Sequence, residues 1–348
     1  MRVLVTGAAG VLGSNLVGHL QASGIDDLVT TDVSTRAFEG KKDTRFVAAD
    51  LADERALGTA LEGIDTVVHC ASAAPSYSRE EIEAIVVEGT ERLLNLSAAS
   101  GSVRRFVYVS STAVYGIPTH CPVDEDDPLQ PFHDPYNRAK IAAEAHCRSY
   151  RSRGLVVPIL RPRTFVGPGR MGTFAMLNDW ASAGKHFPLL GSGTNRYQLL
   201  DVADLCEAIR LTCTLPDTVV DDVFNIGASR FGTMREDYQA VLDEAGFGRR
   251  VVPLPARPVL WTLRALERAG LSPLYKRLYE KLQMDYHVSV DRARARLGFE
   301  PSFSNEQSLV RCYRWYRQHR EEHEITRTGK SNAVPWNQGL LRYGKVFF

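Results

Sequence analysis

Short apolar runs alternate with longer amphipathic stretches through the first half of the chain. Six runs read as strands: RVLVTG (2–7), DLVTTD (27–32), TRFVAAD (44–50), DTVVHCA (65–71), RFVYVS (105–110) and LVVPILR (155–161). Helical periodicity falls between them, near 11–23, 53–62, 79–100 and 135–152. Strands that are apolar on both faces and separated by amphipathic helices predict a parallel sheet covered on both sides. The expected fold is α/β: a doubly wound parallel Rossmann sheet over 1–162, followed by a smaller substrate-binding lobe. That lobe is expected mainly over 163–320, with some segments returning to the sheet, and residues 321–348 read as a C-terminal tail. Beyond Pro162 the pattern predicts helices near 173–184, 202–214, 233–246, 258–269 and 303–320, a polar loop at 191–196 and one more strand at 221–227.

Composition narrows the function classes. The 348 residues are 44% hydrophobic and 24% charged, with a formal net charge of +1, which gives no reason to expect a nucleic-acid partner. Six cysteines (70, 121, 147, 206, 213, 312) show neither a CxxC pair nor metal-ligand spacing, so no metal is expected and reduced thiols in a cytoplasm fit best. A strand beginning at residue 2 or 3 leaves no room for a signal peptide, and no apolar run is long enough to cross a bilayer.

The first strand ends in Gly7-Ala-Ala-Gly10-Val11-Leu12-Gly13, and an apolar helix follows. Glycines at that spacing permit a tight turn and bring backbone against a pyrophosphate at the positive end of the helix. Asp32 ends the second strand, where a carboxylate accepts from both ribose hydroxyls and repels a 2′-phosphate, favouring NAD over NADP. Arg36, close by, keeps NADP open. Asp50-Leu51 ends the third strand, where the carboxylate would meet the adenine amino group or serve as an ordinary loop aspartate.

Three hydroxyls, Ser110, Ser111 and Thr112, end the RFVYVS strand, and further on Pro135-Tyr136-Asn137-Arg138-Ala139-Lys140 places Tyr136 and Lys140 one helical turn apart. Side chains at that spacing share one helix face. A cation beside a phenol, together with an oxidised nicotinamide, would favour phenolate, giving a group able to take or return a proton at a substrate oxygen.

In combination, TGAAGVLG, the acid at Asp32, HCASAAP, VEGTERLLNLS, VSSTAVYG, YNRAK, RPRTFVGPG, DVADL and VFNIG resemble the extended short-chain dehydrogenase/reductase family, in its NAD-dependent epimerase/dehydratase branch. The resemblance spans roughly residues 1–320. It implies Ser111, Tyr136 and Lys140 as catalytic residues, with Ser110 and Thr112 supporting them. It further implies Ala71, Ala73, Pro162 and the Tyr136/Lys140 pair beside the cofactor, and Thr112, Thr164 and Arg196 toward a substrate. Homodimers built on helices 79–100 and 135–152 are also implied. Departures accompany it. Dehydratases of the family carry Asp-Glu where this chain has Thr112-Ala113, many nucleotide-sugar members carry Asn at the Thr164 position, and Val86 replaces another Asn. The diphosphate of a nucleotide-sugar would then fall to Arg196, Arg163 or Arg170.

Expected activities are hydride transfer on a nucleotide-activated sugar, of 4-epimerase or ketoreductase type, or oxidation of a lipophilic alcohol as in 3β-hydroxysteroid dehydrogenases. A non-catalytic NAD sensor is the third class. Tyr115 is expected to line the cleft or pack under the next loop, and the acidic run Asp124–Asp127 to be a solvated loop. The stretch 257–282 carries six Lys/Arg against two Glu on a helical apolar pattern, which suits peripheral membrane contact, cover for a lipophilic substrate or an ordinary packed helix pair.

Overall fold

The computed structural model describes residues 1–35, 44–132, 134–172, 174–255 and 284–319. Arg36, the basic stretch 257–282 and the tail 321–348 fall outside the described residues. The chain runs β1 (Val3–Thr6), α1 (Val11–Ala22), β2 (Leu28–Asp32), β3 (Arg45–Ala48), α2 (Glu54–Leu61) and β4 (Thr66–His69). A long helix follows in three parts: α3 (Arg79–Ile82), a wider π-helical turn (Glu83–Glu88) and α4 (Gly89–Ala99). Then come β5 (Arg105–Val109), a 3-10 turn (Thr112–Tyr115), α5 (Pro135–Arg151), β6 (Ile159–Pro162), β7 (Phe165–Val166), α6 (Phe174–Ser182), β8 (Phe187–Leu190) and β9 (Leu200–Asp201). The chain continues through α7 (Val202–Thr214), α8 (Asp217–Val220), β10 (Val223–Ile226), α9 (Met234–Ala245), β11 (Val251–Leu254), α10 (Asp291–Leu297) and α11 (Asn305–Gln318).

Seven strands form one sheet in the order β10-β6-β5-β4-β1-β2-β3. Each pairing in it is parallel. Residues of one strand alternate between two cores, as the two-residue repeat of a strand requires. Val3, Val5, Val68, Val107 and Leu160 join Leu16 of α1 and Leu205 of α7 on one face. Leu4, Val67, Phe106, Tyr108 and Ile159 join Leu57, Leu93 and Ala143 on the other. All six first-half strand predictions meet strands of this sheet, and the 221–227 prediction is its edge strand β10, so the second half returns to the sheet as the pattern implied.

A third core, including Phe174, Trp180, Phe187, Leu242 and Tyr313, lies outside the sheet among α6, β8, α9 and α11. Two small parallel pairs, β8 with β11 and β7 with β9, tie this region together. Neither pair stands in the sequence pattern; the two residues each of β7 and β9 leave no periodicity to read. Just after the π turn, Gly89 lies so close to Leu51 that a Cβ there would sit 2.8 Å from its Cδ1.

Phe224, at the centre of the edge strand, is fully buried between sheet and helices. Phe224→Ala is expected to cost about 3–5 kcal/mol, read from urea unfolding. A loss below about 1 kcal/mol would show that β10 contributes little to the core.

Candidate active site

The carboxyl end of β1 turns into the first turn of α1 beside the end of β4. Gly7 has φ +66°, and a Cβ on it would lie 2.6 Å from the backbone of Ala71. A Cβ on Gly13 would lie 2.2 Å from the Gly7 carbonyl oxygen, so only glycine lets α1 start this close to β1. Helix α1 begins on Gly10 with no side chain capping it. The amides of its first turn, at Val11, Leu12 and Gly13, are thereby left to an anion. The Asp32 carboxylate accepts from Ala9 N–H at 2.9 Å and Ser34 N–H at 2.9 Å, which places it beside the glycine turn. An uncapped helix start, a glycine cradle and an adjacent carboxylate fit an adenosine pyrophosphate. Asp50 is exposed and its Oδ1 accepts from Ala52 N–H at 2.8 Å, while Leu51 packs on Gly89. Ala73 is buried against the sheet, and the Pro162 carbonyl accepts from the Thr112 hydroxyl at 3.3 Å.

Helix α5 starts cleanly. Asp134 caps it by accepting from Tyr136 N–H at 3.2 Å, and Pro135 occupies its first turn. Asn137 then pins that turn, donating to Ala113 O at 2.6 Å and Gln130 O at 3.2 Å. This anchoring carries Tyr136 to the end of β5, where hydroxyl contacts from Ser111 and Ser72 reach its phenol. Lys140 is buried beneath, its Nζ donating to Val109 O at 2.8 Å and Tyr108 Oη at 3.3 Å.

A phenolate at Tyr136 is expected only with an oxidised nicotinamide beside the cation, and the protein's own groups act the other way. Burial raises the Tyr136 phenol above its ordinary range, and the contacts from Ser111 and Ser72, with the charge of Arg170, only partly offset it. The ammonium points at the strand end and stands 5.9 Å from the phenol ring centre, so it is not what tunes Tyr136 in the free protein. Burial pulls Lys140 itself from 10.5 down to about 8, against the opposing pull of Cys147, Glu144 and Cys70.

The residues expected near a substrate divide. Thr112 is buried, and its hydroxyl is committed to Pro162 O and to Arg163 at 3.4 Å, which accounts for it without a ligand. Arg163 is buried as well, donating to Gln198 O at 3.0 Å and Tyr286 O at 2.9 Å, with its guanidinium 3.9 Å from the Tyr286 ring centre. These bonds remove it from the diphosphate candidates. Thr164 is half-buried with its hydroxyl 3.4 Å from that of Tyr197. Arg196 is exposed, its guanidinium 4.8 Å from the Phe231 ring centre, and Arg170 sits over the Phe165 ring at 4.5 Å.

Two other expectations resolve. Tyr115 packs inside, its hydroxyl donating to Asn225 Oδ1 at 2.8 Å, so it does not line a cleft. The 124–127 run is not wholly solvated: Glu125 is buried and accepts from Asn225 N–H at 2.7 Å, with Arg292 3.7 Å away.

Several neighbours escaped the sequence reading. Ser72 stands in the quoted HCASAAP but carries no spacing signal. His69, at the end of β4, is buried in a hydrogen-bonded chain. The Thr90 hydroxyl donates to Val86 O at 2.7 Å, so it must accept from His69 Nε2–H at 3.0 Å. The Thr6 hydroxyl then donates to Nδ1 at 2.7 Å. Burial, aided by Lys140, lowers His69 from 6.5 to about 3. Among the described residues there is no cluster of His, Cys, Asp or Glu able to hold a metal. No described helix is long and apolar enough to cross a membrane.

A family model described as the NAD dependent epimerase/dehydratase family matches residues 3–227. The uncharacterized protein y4nG of Sinorhizobium fredii is 36% identical over 344 residues, 97% of this chain and 84% of that protein. A 3 beta-hydroxysteroid dehydrogenase/Delta 5-->4-isomerase of Mycobacterium tuberculosis is 29% identical over 336 residues, 90% of each chain. Among solved structures, DesIV, the dTDP-glucose 4,6-dehydratase of Streptomyces venezuelae with NAD bound, superposes with a TM-score of 0.74 at 26% identity, covering 92% of this chain and 98% of that one.

The His69 assignment is testable by 15N NMR of the imidazoles. His69 is expected to stay neutral and Nε2-protonated from about pH 5 to 9. A titration inside that window would contradict the buried chain.

Proposed function

This chain belongs to the NAD-dependent epimerase/dehydratase family, and on that premise we propose that it is an NAD-dependent oxidoreductase acting at a secondary alcohol or ketone of a nucleotide-activated sugar, of 4-epimerase or ketoreductase type. The observation that carries the reading is the contact of the Ser111 and Ser72 hydroxyls with the Tyr136 phenol, with Lys140 held at the end of β5 by Val109 O and Gly7 packed on Ala71, next to Ser72. The likeness to DesIV, a dTDP-glucose enzyme with NAD bound, supports the substrate class.

The first turn of α1, the glycine cradle and Asp32 would hold NAD, with Ala71, Ala73 and Pro162 lining the same strand ends. When bound, NAD accepts a hydride and can return it. Ser111 donates a hydrogen bond to the substrate oxygen and holds it against the Tyr136 phenol. In the free protein that phenol is held protonated, which suits giving a proton to a carbonyl oxygen in the reductive direction. Removing a proton from an alcohol requires positive charge near the phenol, and the Lys140 ammonium lies one helical turn away. Asp32 disfavours a 2′-phosphate, hence NAD over NADP. Thr112 and Ala113 supply no carboxyl group to protonate a leaving hydroxyl, which favours epimerisation or simple reduction over dehydration. Exposed Arg196 and half-buried Arg170 are the remaining candidates for the diphosphate, with Thr164 toward the sugar.

The reading extends to a substrate lobe over 163–320 and a homodimer through the 79–99 and 135–151 helices. Six free cysteines fit a reducing cytoplasm. A second reading, oxidation of a lipophilic alcohol, draws on the steroid dehydrogenase relative and on the missing Asn at the Thr164 and Val86 positions.

Native mass spectrometry with NAD and UDP-glucose or dTDP-glucose is expected to show one nucleotide-sugar per chain. Tyr136→Phe should lower turnover about 10²–10⁴-fold with NAD affinity kept. Absence of sugar-nucleotide binding, together with NAD reduction by a 3β-hydroxysteroid, would overturn the first reading in favour of the second.

A further inference from the structure

Helix α5 continues past the Tyr136/Lys140 pair with the same four-residue step, to Glu144 and Arg148. Glu144 is fully buried, and four bonds converge on its carboxylate. Arg161, at the end of β6 and itself buried, donates Nε to Oε1 at 3.0 Å and Nη2 to Oε2 at 2.8 Å, a bidentate pair. The Ser110 hydroxyl donates to Oε1 at 2.6 Å, and Arg148 donates to Oε2 at 2.9 Å. Arg161 extends the lattice, its Nη1 donating to Tyr115 Oη at 2.7 Å and Glu125 O at 3.2 Å.

Ser110 directly precedes Ser111, Arg161 directly precedes Pro162, and Glu144 sits one turn beyond Lys140. One carboxylate therefore touches β5 and β6 from α5, within one residue or one helical turn of the proposed working groups. The lattice touches no reacting atom.

We propose that Glu144, clamped by Arg161, is a positioning residue that fixes Lys140 and Ser111 relative to one another and holds Lys140 in its charged form. The proposal rests on the reading of Lys140 as a site residue. Its charge reaches Lys140 against a specific background. The ammonium faces Tyr108 from β5, His69 and Cys70 from the end of β4, and Tyr136, Glu144 and Cys147 from its own helix. His69 is neutral, and burial keeps the thiol of Cys147 protonated and raises Cys70 to about 12. Glu144 is thus the anion of the set. Removing its charge disfavours the ammonium, so the Lys140 midpoint falls. Removing Arg148, the half-exposed cation on the far side of Glu144, favours the ammonium, so the midpoint rises.

The test is a titration of 13Cε-lysine-labelled full-length protein by NMR, with Lys140 assigned by the loss of its resonance in Lys140→Arg. Glu144→Gln is expected to lower the Lys140 midpoint by about one unit, Glu144→Asp to restore it toward wild type, and Arg148→Gln to raise it. A general loosening around Lys140 would move both midpoints the same way, toward that of an exposed lysine, and not in opposite directions. A folded Glu144→Gln protein titrating at the wild-type midpoint overturns the proposal. If that variant fails to fold, an Arg148→Gln midpoint equal to or below wild type overturns it. The titration needs neither substrate nor turnover. Saturating NAD that leaves the Lys140 resonance unmoved would count against the functional reading while leaving the opposite shifts, and this proposal, intact.

Discussion

A carboxylate with no exposure to water, held between a strand-end arginine and a strand-end serine, joins the layers of this protein where its chemistry is concentrated. Burying a charge is costly, and a buried pair repays that cost only when every lone pair and N–H finds a partner. Glu144 meets that condition with two arginines and a hydroxyl. Breaking one side of such a pair typically costs about 3–5 kcal/mol, because the orphaned charge stays buried. The arrangement sets how far α5 stands from β5, and hence where the phenol and ammonium lie relative to the hydroxyl at the end of that strand. The second constraint is steric. Gly7 and Gly13 bring α1 against β1 and Ala71, leaving the helix start uncapped on the same edge of the sheet. Two unrelated devices, one electrostatic and one of volume, face each other across the strand ends.

Local features were legible in the sequence, and features made by distant contacts were not. Apolar runs in β1, β4 and β5 alternate between two cores, and such runs mark a strand covered on both faces. The glycine spacing at 7–13 and the four-residue step from Tyr136 to Lys140 are likewise written in short windows. Even the return of the second half to the sheet was visible as the single strand at 221–227. The same four-residue step continued to Glu144, but its meaning depends on Arg161, seventeen positions on and on another element. The Tyr286 hydroxyl donates to Thr112 O across 174 positions, and nothing local to either residue announces it. That contact, with Arg163 beneath it, explains why Thr112 turns inward. The resemblance places that hydroxyl toward a substrate, and in the free protein it bonds Pro162 O and Arg163.

The charge balance also changes what the pair of Tyr136 and Lys140 means. A helical spacing tells that two side chains share a face, and says nothing of what else each one meets. Here the ammonium is drawn to Val109 O and Tyr108, while the phenol finds the hydroxyls of Ser111 and Ser72. Desolvation dominates both groups in the free protein, keeping the phenol protonated and making the Lys140 ammonium a stronger acid than that of an exposed lysine. A bound dinucleotide would add its own charge to this balance. In the free protein the phenol is held protonated, and its capacity to accept a proton depends on what fills the glycine cradle.

The most direct measurement is a crystal structure of the complex with NAD. The pyrophosphate is expected on the first turn of α1, the adenosine ribose on Asp32, and the nicotinamide within reach of Ser111, Tyr136 and Lys140, with the Glu144–Arg161 pair intact beneath. A dinucleotide bound elsewhere, or a Tyr136 phenol turned away from Ser111 when the cradle is filled, would contradict that arrangement.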